Sequence, residues 1–248
     1  MSLRRTFVAV ALAASLVGLA ACQASDEPTP TATASAEAAG FRVNDEPDAV
    51  AACLQPGDTA LAMDTPGGQL DEAITYGDGD TAVILSHQAE QGPCAWDAYG
   101  RTLAERGYRV FIPALLVTPE GVLAPSVDWL TEQGVERYAL VGASKGGAYS
   151  LAAAAHLSPA PALVAAVSSP TEYDPADALG EIGAITSPVL LIAGSDDDDF
   201  AAQAQALADA QPAATLLVVP SSAHGTELIA TSPEAATALD DALADALG

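Results

Sequence analysis

Positive charge is what this chain has least of: eight lysines and arginines stand against 33 aspartates and glutamates in 248 residues, for a formal net charge of -25. A surface of that sign repels polyphosphate, which argues against nucleic acid, an anionic membrane face or a polyanionic substrate as a partner. A solvated acidic surface accounts for the charge itself. Histidine and cysteine are also scarce, with three of each, and no CxxC or His-Cys cluster occurs, so a zinc site is not supported. The four successive acids Asp196 to Asp199 lack the spacing, glycine and terminal glutamate of an EF-hand loop. No internal repeat is present, and about 200 residues beyond the N-terminal region suffice for one sizeable core.

The longest apolar run is also too short to span a membrane. Phe7 to Leu19 follows Arg4 and Arg5 and ends at Leu19-Ala20-Ala21-Cys22, which reads as a targeting segment over residues 1–21. The last four residues resemble the lipobox of bacterial lipoprotein precursors. That resemblance implies cleavage before Cys22, lipidation of its thiol, and anchoring at the outer face of a bacterial cytoplasmic membrane. Export by the general or the twin-arginine route is left open by Arg4-Arg5. Cleavage removes two arginines and no acid, taking -25 to -27. Residues 22–45 open with a stretch rich in Ala, Thr, Ser, Pro, Asp and Glu without hydrophobic periodicity; they are expected to form a disordered tether, with a folded domain over 46–248. With Cys22 lipidated, Cys53 and Cys94 remain as an even pair in an oxidising compartment, and a disulfide between them is expected.

What the chain does have is a sharp strand-to-helix signal. Tyr138 to Val141 is a short apolar run, the residues from Lys145 onward suit a helix, and between them lies Gly142-Ala143-Ser144-Lys145-Gly146. Glycines two positions to either side let the backbone pass close to a serine held on a tight turn. Ser144 is then a candidate nucleophile, and the Lys145 amide, at the start of the helix, a candidate oxyanion donor. A nucleophilic serine needs a base and an orienting acid. Val189 to Ala193 is a strand-like run ending at Gly194-Ser195-Asp196-Asp197-Asp198-Asp199, and Thr215 to Val219 is another, followed by Ala223-His224-Gly225.

Over residues 80 to 248 these motifs, in this order, resemble the α/β-hydrolase family, of the serine-esterase or dienelactone-hydrolase kind. The resemblance implies an α/β fold with a doubly wound, mostly parallel sheet and flanking helices. It implies Ser144, His224 and Asp197 as nucleophile, base and acid, with Asp196 and Asp198 as alternatives for the acid. It also implies a second oxyanion amide after the strand Thr81 to Leu85, from Gln88 or Ala89 in Ser86-His87-Gln88-Ala89. Glycine is usual in that family where Gln88 stands. His87 reads as a structural residue of that loop, and His156 as an exposed residue near a helix end. Pro113 to Pro119 replaces a family motif and is expected to line an apolar pocket. From Ser168 to Val189 there is room only for a short helix, Pro175 to Ile185, so no large cap is expected and the site should be open.

The remaining elements follow from periodicity. Leu61 to Asp64 and Leu70 to Tyr76 read as antiparallel strands around Pro66-Gly67-Gly68, Tyr108 to Ile112 and Ala162 to Val167 as further strands, and Trp96 to Arg106, Val127 to Glu132, Lys145 to Leu157, Phe200 to Gln211 and Pro233 to Leu247 as helices. The chemistry implied is hydrolysis of a small carboxylic ester or related acyl bond, without cofactor or metal. The competing class is a lipid-anchored binding or structural protein that carries the same fold without turnover.

Overall fold

The computed structural model describes residues 40–248. The targeting segment, Cys22 and most of the tether lie outside the described residues. One nine-stranded sheet forms the middle layer. Its strands are β1 (Arg42–Val43), β2 (Thr59–Asp64), β3 (Leu70–Tyr76), β4 (Thr81–Ser86), β5 (Arg109–Pro113), β6 (Arg137–Ala143), β7 (Leu163–Val167), β8 (Val189–Gly194) and β9 (Thr215–Val219), in the spatial order β1-β2-β3-β5-β4-β6-β7-β8-β9. The pairs β1·β2, β2·β3 and β3·β5 are antiparallel and all the others parallel.

The helices are α1 (Asp97–Glu105), α2 (Pro119–Glu132), α3 (Lys145–Ala154), α4 (Ala178–Glu181), α5 (Phe200–Ala210), α6 (Thr226–Thr231) and α7 (Pro233–Leu247). Alternation along the buried strands sends side chains to both faces, so two cores form. Leu140, Phe111 and Ile84 pack with Leu123, Leu151 and Leu207, under α2, α3 and α5. Val141, Val83 and Ile112 pack with Leu103, Leu228 and Leu239, under α1, α6 and α7. The chain leaves β4 to one side for β5 and returns to the other for β6, so the order reverses between β4 and β6. At such a point the carboxyl ends of two neighbouring strands diverge into a crevice.

The sequence misplaces several boundaries. The folded unit begins before residue 46: Phe41 is buried against Phe111 at 5.2 Å between rings, and β1 joins the sheet. Glu72 causes this, its carboxylate accepting from Asn44 Nδ2 and the Asp48 and Ala49 amides at 2.8–3.1 Å. α2 is longer than Val127 to Glu132. Pro119 starts it, where a missing N–H costs nothing, and Thr118 Oγ1 accepts from Gly121 N at 3.2 Å. Pro125 lies inside that helix, its cost offset by burial of Val122, Leu123, Val127 and Leu130. α3 stops at Ala154 rather than Leu157, and only Ala178–Glu181 of the stretch Pro175 to Ile185 is α-helical, continued by a 3-10 turn. α6 was not legible, because six residues with two threonines give no periodicity. Cys53 and Cys94 are bonded at 2.10 Å, tying the 3-10 turn Ala51–Cys53 to the turn Pro93–Trp96 before α1. A cross-link of this span stabilises a fold by about 2–4 kcal/mol.

Candidate active site

Ser144 sits between β6 and α3 with φ 49° and ψ -116°, a backbone conformation an L-residue rarely adopts. Its amide donates to Val167 O at 2.8 Å, holding the turn against β7. A Cβ on Gly142 would collide with the Gly146 carbonyl, and one on Gly146 with the Ser86 carbonyl. Both glycines are therefore required by close approach, the first within the turn and the second where α3 crosses the end of β4. Lys145, the only lysine in the chain, opens α3, so its amide has no partner within the helix.

Asp197 and His224 come from the ends of β8 and β9. Asp197 is buried, and His224 Nδ1 lies 2.9 Å from its Oδ2 and 3.1 Å from its Oδ1. An ionised carboxylate only accepts, so Nδ1 carries the proton and Nε2 presents its lone pair. Asp196 is exposed and takes the Ser195 hydroxyl at 3.0 Å, while Asp198 holds a positive φ of 41° at the turn. Of the three aspartates proposed for the acid, the ring meets Asp197. Phe200, which the sequence did not single out, packs against the imidazole with 4.4 Å between ring centres and the ring planes tilted by 52°.

The histidine loop is seated on the turn that carries Ser144. Gly225 N donates to Ser168 Oγ at 3.1 Å, and a Cβ on Gly225 would lie 3.4 Å from that of Ala143, the residue before the serine. Ser144 Oγ itself makes no hydrogen bond to the ring, a contact that commonly tightens only with substrate in place. His87 follows β4, buried, its Nδ1 2.7 Å from Gln88 O and its Nε2 2.7 Å from Ala114 O. It braces the loop rather than facing the serine. Burial pushes its pKa down and Lys145 adds to that, while the two carbonyls favour the cation. Gln88 keeps its carbonyl on His87 and turns its side chain toward Thr226; Ala89 is the next residue of that loop. His156 is paired with Glu181 at 2.9 Å, at the surface.

The segment from Pro113 to Pro119 is held in place by polar groups. Leu115 is buried in the core with a φ of +60°, and Leu116 is half exposed. Polar groups grip three successive residues: buried His87 meets Ala114 O, half-buried Lys145 donates its Nζ to Leu115 O at 3.0 Å, and Leu116 N donates to Oδ2 of buried Asp71 at 2.9 Å. Burial lowers the Lys145 pKa, which Asp71 partly restores. Asp71 has no exposed surface and its Oδ1 has no partner. Burial raises its pKa to about 6, against the opposing pull of the Leu116 amide. Because the folded value lies above the unfolded one, the folded state binds the proton more tightly. Stability attached to this group is present below pH 4 and is lost as pH rises toward 6, by about 3 kcal/mol. Asp71→Asn should remove that slope: urea unfolding at pH 4 to 8 is expected to show the variant gaining on the wild type as pH rises, and parallel curves would refute the assignment.

Among the described residues no three of His, Cys, Asp and Glu converge closely enough to hold a metal ion. A cavity of about 470 Å³ lies at the opposite, amino ends of β7 to β9 beneath α7, lined by Leu163, Leu190 and Ala242 among others, and is no part of this site.

No protein-family profile matches the sequence, and no curated protein does. Solved structures match the fold. An enol-lactonase from Burkholderia xenovorans LB400 superposes with a TM-score of 0.61 at 16% identity, covering 74% of this chain and 99% of that one. A dienelactone hydrolase from Anabaena variabilis gives 0.62 at 20%, covering 79% and 100%. An esterase from Pyrococcus furiosus gives 0.62 at 15%, covering 85% and 97%. At these identities the likeness is one of architecture: a nine-stranded, mostly parallel sheet flanked by helices, with a tight turn after β6, which is the α/β-hydrolase fold.

Proposed function

We propose that this protein is a serine hydrolase cleaving a carboxylic ester or related acyl bond. The observation that carries the reading is the Asp197–His224 pair, which fixes the proton on Nδ1 and leaves Nε2 free to accept, on a loop seated against the strained serine turn. Ser144 Oγ attacks the carbonyl carbon while Nε2 takes its proton. The Lys145 amide and an amide at Gln88 or Ala89 stabilise the oxyanion. Collapse of the tetrahedral adduct breaks the bond to the leaving alcohol, which receives the proton from His224, and leaves an acyl-serine. Water, deprotonated by the same imidazole, then releases the acid and restores the serine. The known structures of this fold include proteins named as lactonase, dienelactone hydrolase and esterase, in keeping with acyl chemistry.

The stretch from Ser168 to Pro188 holds only α4 and a 3-10 turn, so nothing as large as a cap domain covers the crevice at this point. That suits small or solvent-accessible esters. The N-terminal sequence and the Cys53–Cys94 bridge together support export to an oxidising compartment, with a lipid on Cys22 holding the domain at the outer face of a bacterial cytoplasmic membrane. The soluble domain should react stoichiometrically with a fluorophosphonate probe and turn over p-nitrophenyl acetate or butyrate at least tenfold faster than the laurate ester. A second reading, an inert binding protein on the same fold, draws on the glutamine in the oxyanion loop; absence of both labelling and ester turnover would favour it.

A further inference from the structure

The loops after β4 and β9 are joined by one side chain. Gln88 Oε1 accepts from Thr226 N at 3.0 Å and from Thr226 Oγ1 at 3.2 Å, across 138 residues of sequence. Thr226 is two residues beyond His224 and is the first residue of α6. Between them, Gly225 has φ +57° and ψ -123°, and a Cβ there would collide with the same Gln88 Oε1. The glutamine oxygen is thus pressed against the backbone that carries the imidazole.

Gln88 is itself fixed from behind. Its carbonyl lies 2.7 Å from His87 Nδ1 and the Ala114 carbonyl 2.7 Å from Nε2, so the ring is wedged between two acceptors and, when neutral, donates to one of them. The backbone at Ser86 and His87 is in turn so close to Gly146 of α3 that no side chain fits there. A rigid post anchored on the serine turn therefore reaches the histidine loop. The other holds on that loop are different: the Asp196 amide on Ser221 O at 3.0 Å, Ser168 Oγ on Gly225 N, and Asp197 and Phe200 on the ring. Asp197 sets the ring's tautomer and tilt, but it comes from β8 and is no part of the loop that bears the oxyanion amide.

We propose that Gln88 is a positioning residue that sets His224 against Ser144, by tying the base loop to the loop that lines the oxyanion site. This rests on the serine-hydrolase reading. The same two bonds also satisfy amide and hydroxyl donors at the start of a six-residue helix, so a purely structural capping role is the rival account. The two differ in what they move. Capping affects stability alone, whereas an ångström of slack between base and nucleophile costs up to about 100-fold in rate.

The test compares wild type, Q88A, Q88E and T226V in the oxidised soluble domain. For each, kcat and KM are measured for p-nitrophenyl acetate across pH 5 to 9, with the second-order rate of fluorophosphonate labelling and the melting temperature. Q88A should lower kcat and the labelling rate about 10- to 100-fold with KM within about twofold. Q88E keeps an acceptor oxygen; it should recover most of the rate and move the acidic limb of kcat/KM to higher pH, because a new negative charge favours the imidazolium. T226V should lower kcat modestly in the wild type and not at all in Q88A, the mark of a shared contact. Q88A that melts lower yet reacts at the wild-type rate overturns the proposal and leaves capping. A wild type that reacts with neither ester nor probe overturns both this and the hydrolase reading, so the two failures are distinguishable.

Discussion

Ser144→Ala should lower kcat for a short p-nitrophenyl ester by about 10⁶-fold and abolish fluorophosphonate labelling, with KM changed little. The size follows from what is lost. A methyl group forms no bond to the carbonyl carbon, so the acyl intermediate disappears and with it the division of one high barrier into two lower ones. What survives is the background rate that oxyanion amides and proximity give to water. Alanine meets the same positive φ as serine, so the fold should not change, and the melting temperature is the control. Turnover that persists in the variant at more than about a thousandth of the wild-type rate would mean another residue attacks.

Asp197→Asn is expected to cost about 10⁴-fold in kcat, although it alters a single atom. The carboxylate now accepts from Nδ1; an amide nitrogen turned toward the ring would donate instead, drawing the proton to Nε2. The imidazole would keep its place against Phe200 and lose the lone pair it needs. Asp196→Asn, at an exposed residue whose side chain is bonded only to the neighbouring serine, should leave the rate within about twofold. A loss of less than tenfold in Asp197→Asn would transfer the orienting role to a different acid.

The class of fold was legible through a resemblance to the α/β-hydrolase family, carried by short continuous apolar runs and by a serine between paired glycines where such a run gives way to small residues. The order of the later motifs then named His224 and the aspartate run. The rest depends on contacts between distant parts of the chain. Nothing near Glu72 says that its carboxylate gathers residues 44 to 49 into the domain, which is why the tether was drawn to residue 45. Two prolines hid the first half of α2, since each marks a break unless it stands at a helix start or its neighbours are buried. Gln88 read as a departure from a pattern, because its partner lies 138 residues away. Phe200 and Asp71 carry no motif at all. The sequence took Asp197 as the acid with Asp196 and Asp198 as alternatives; the turn after β8 buries Asp197 and leaves Asp196 in solvent.

The singularity of Lys145 has a practical side. An endoproteinase specific for lysine can cut the denatured chain at one peptide bond, between Lys145 and Gly146, immediately beyond the serine. Digestion thus yields two pieces, with position 144 next to the new carboxyl terminus of the first and positions 197 and 224 on the second. Mass spectrometry of the intact pieces would locate an adduct on one side or the other without further fragmentation.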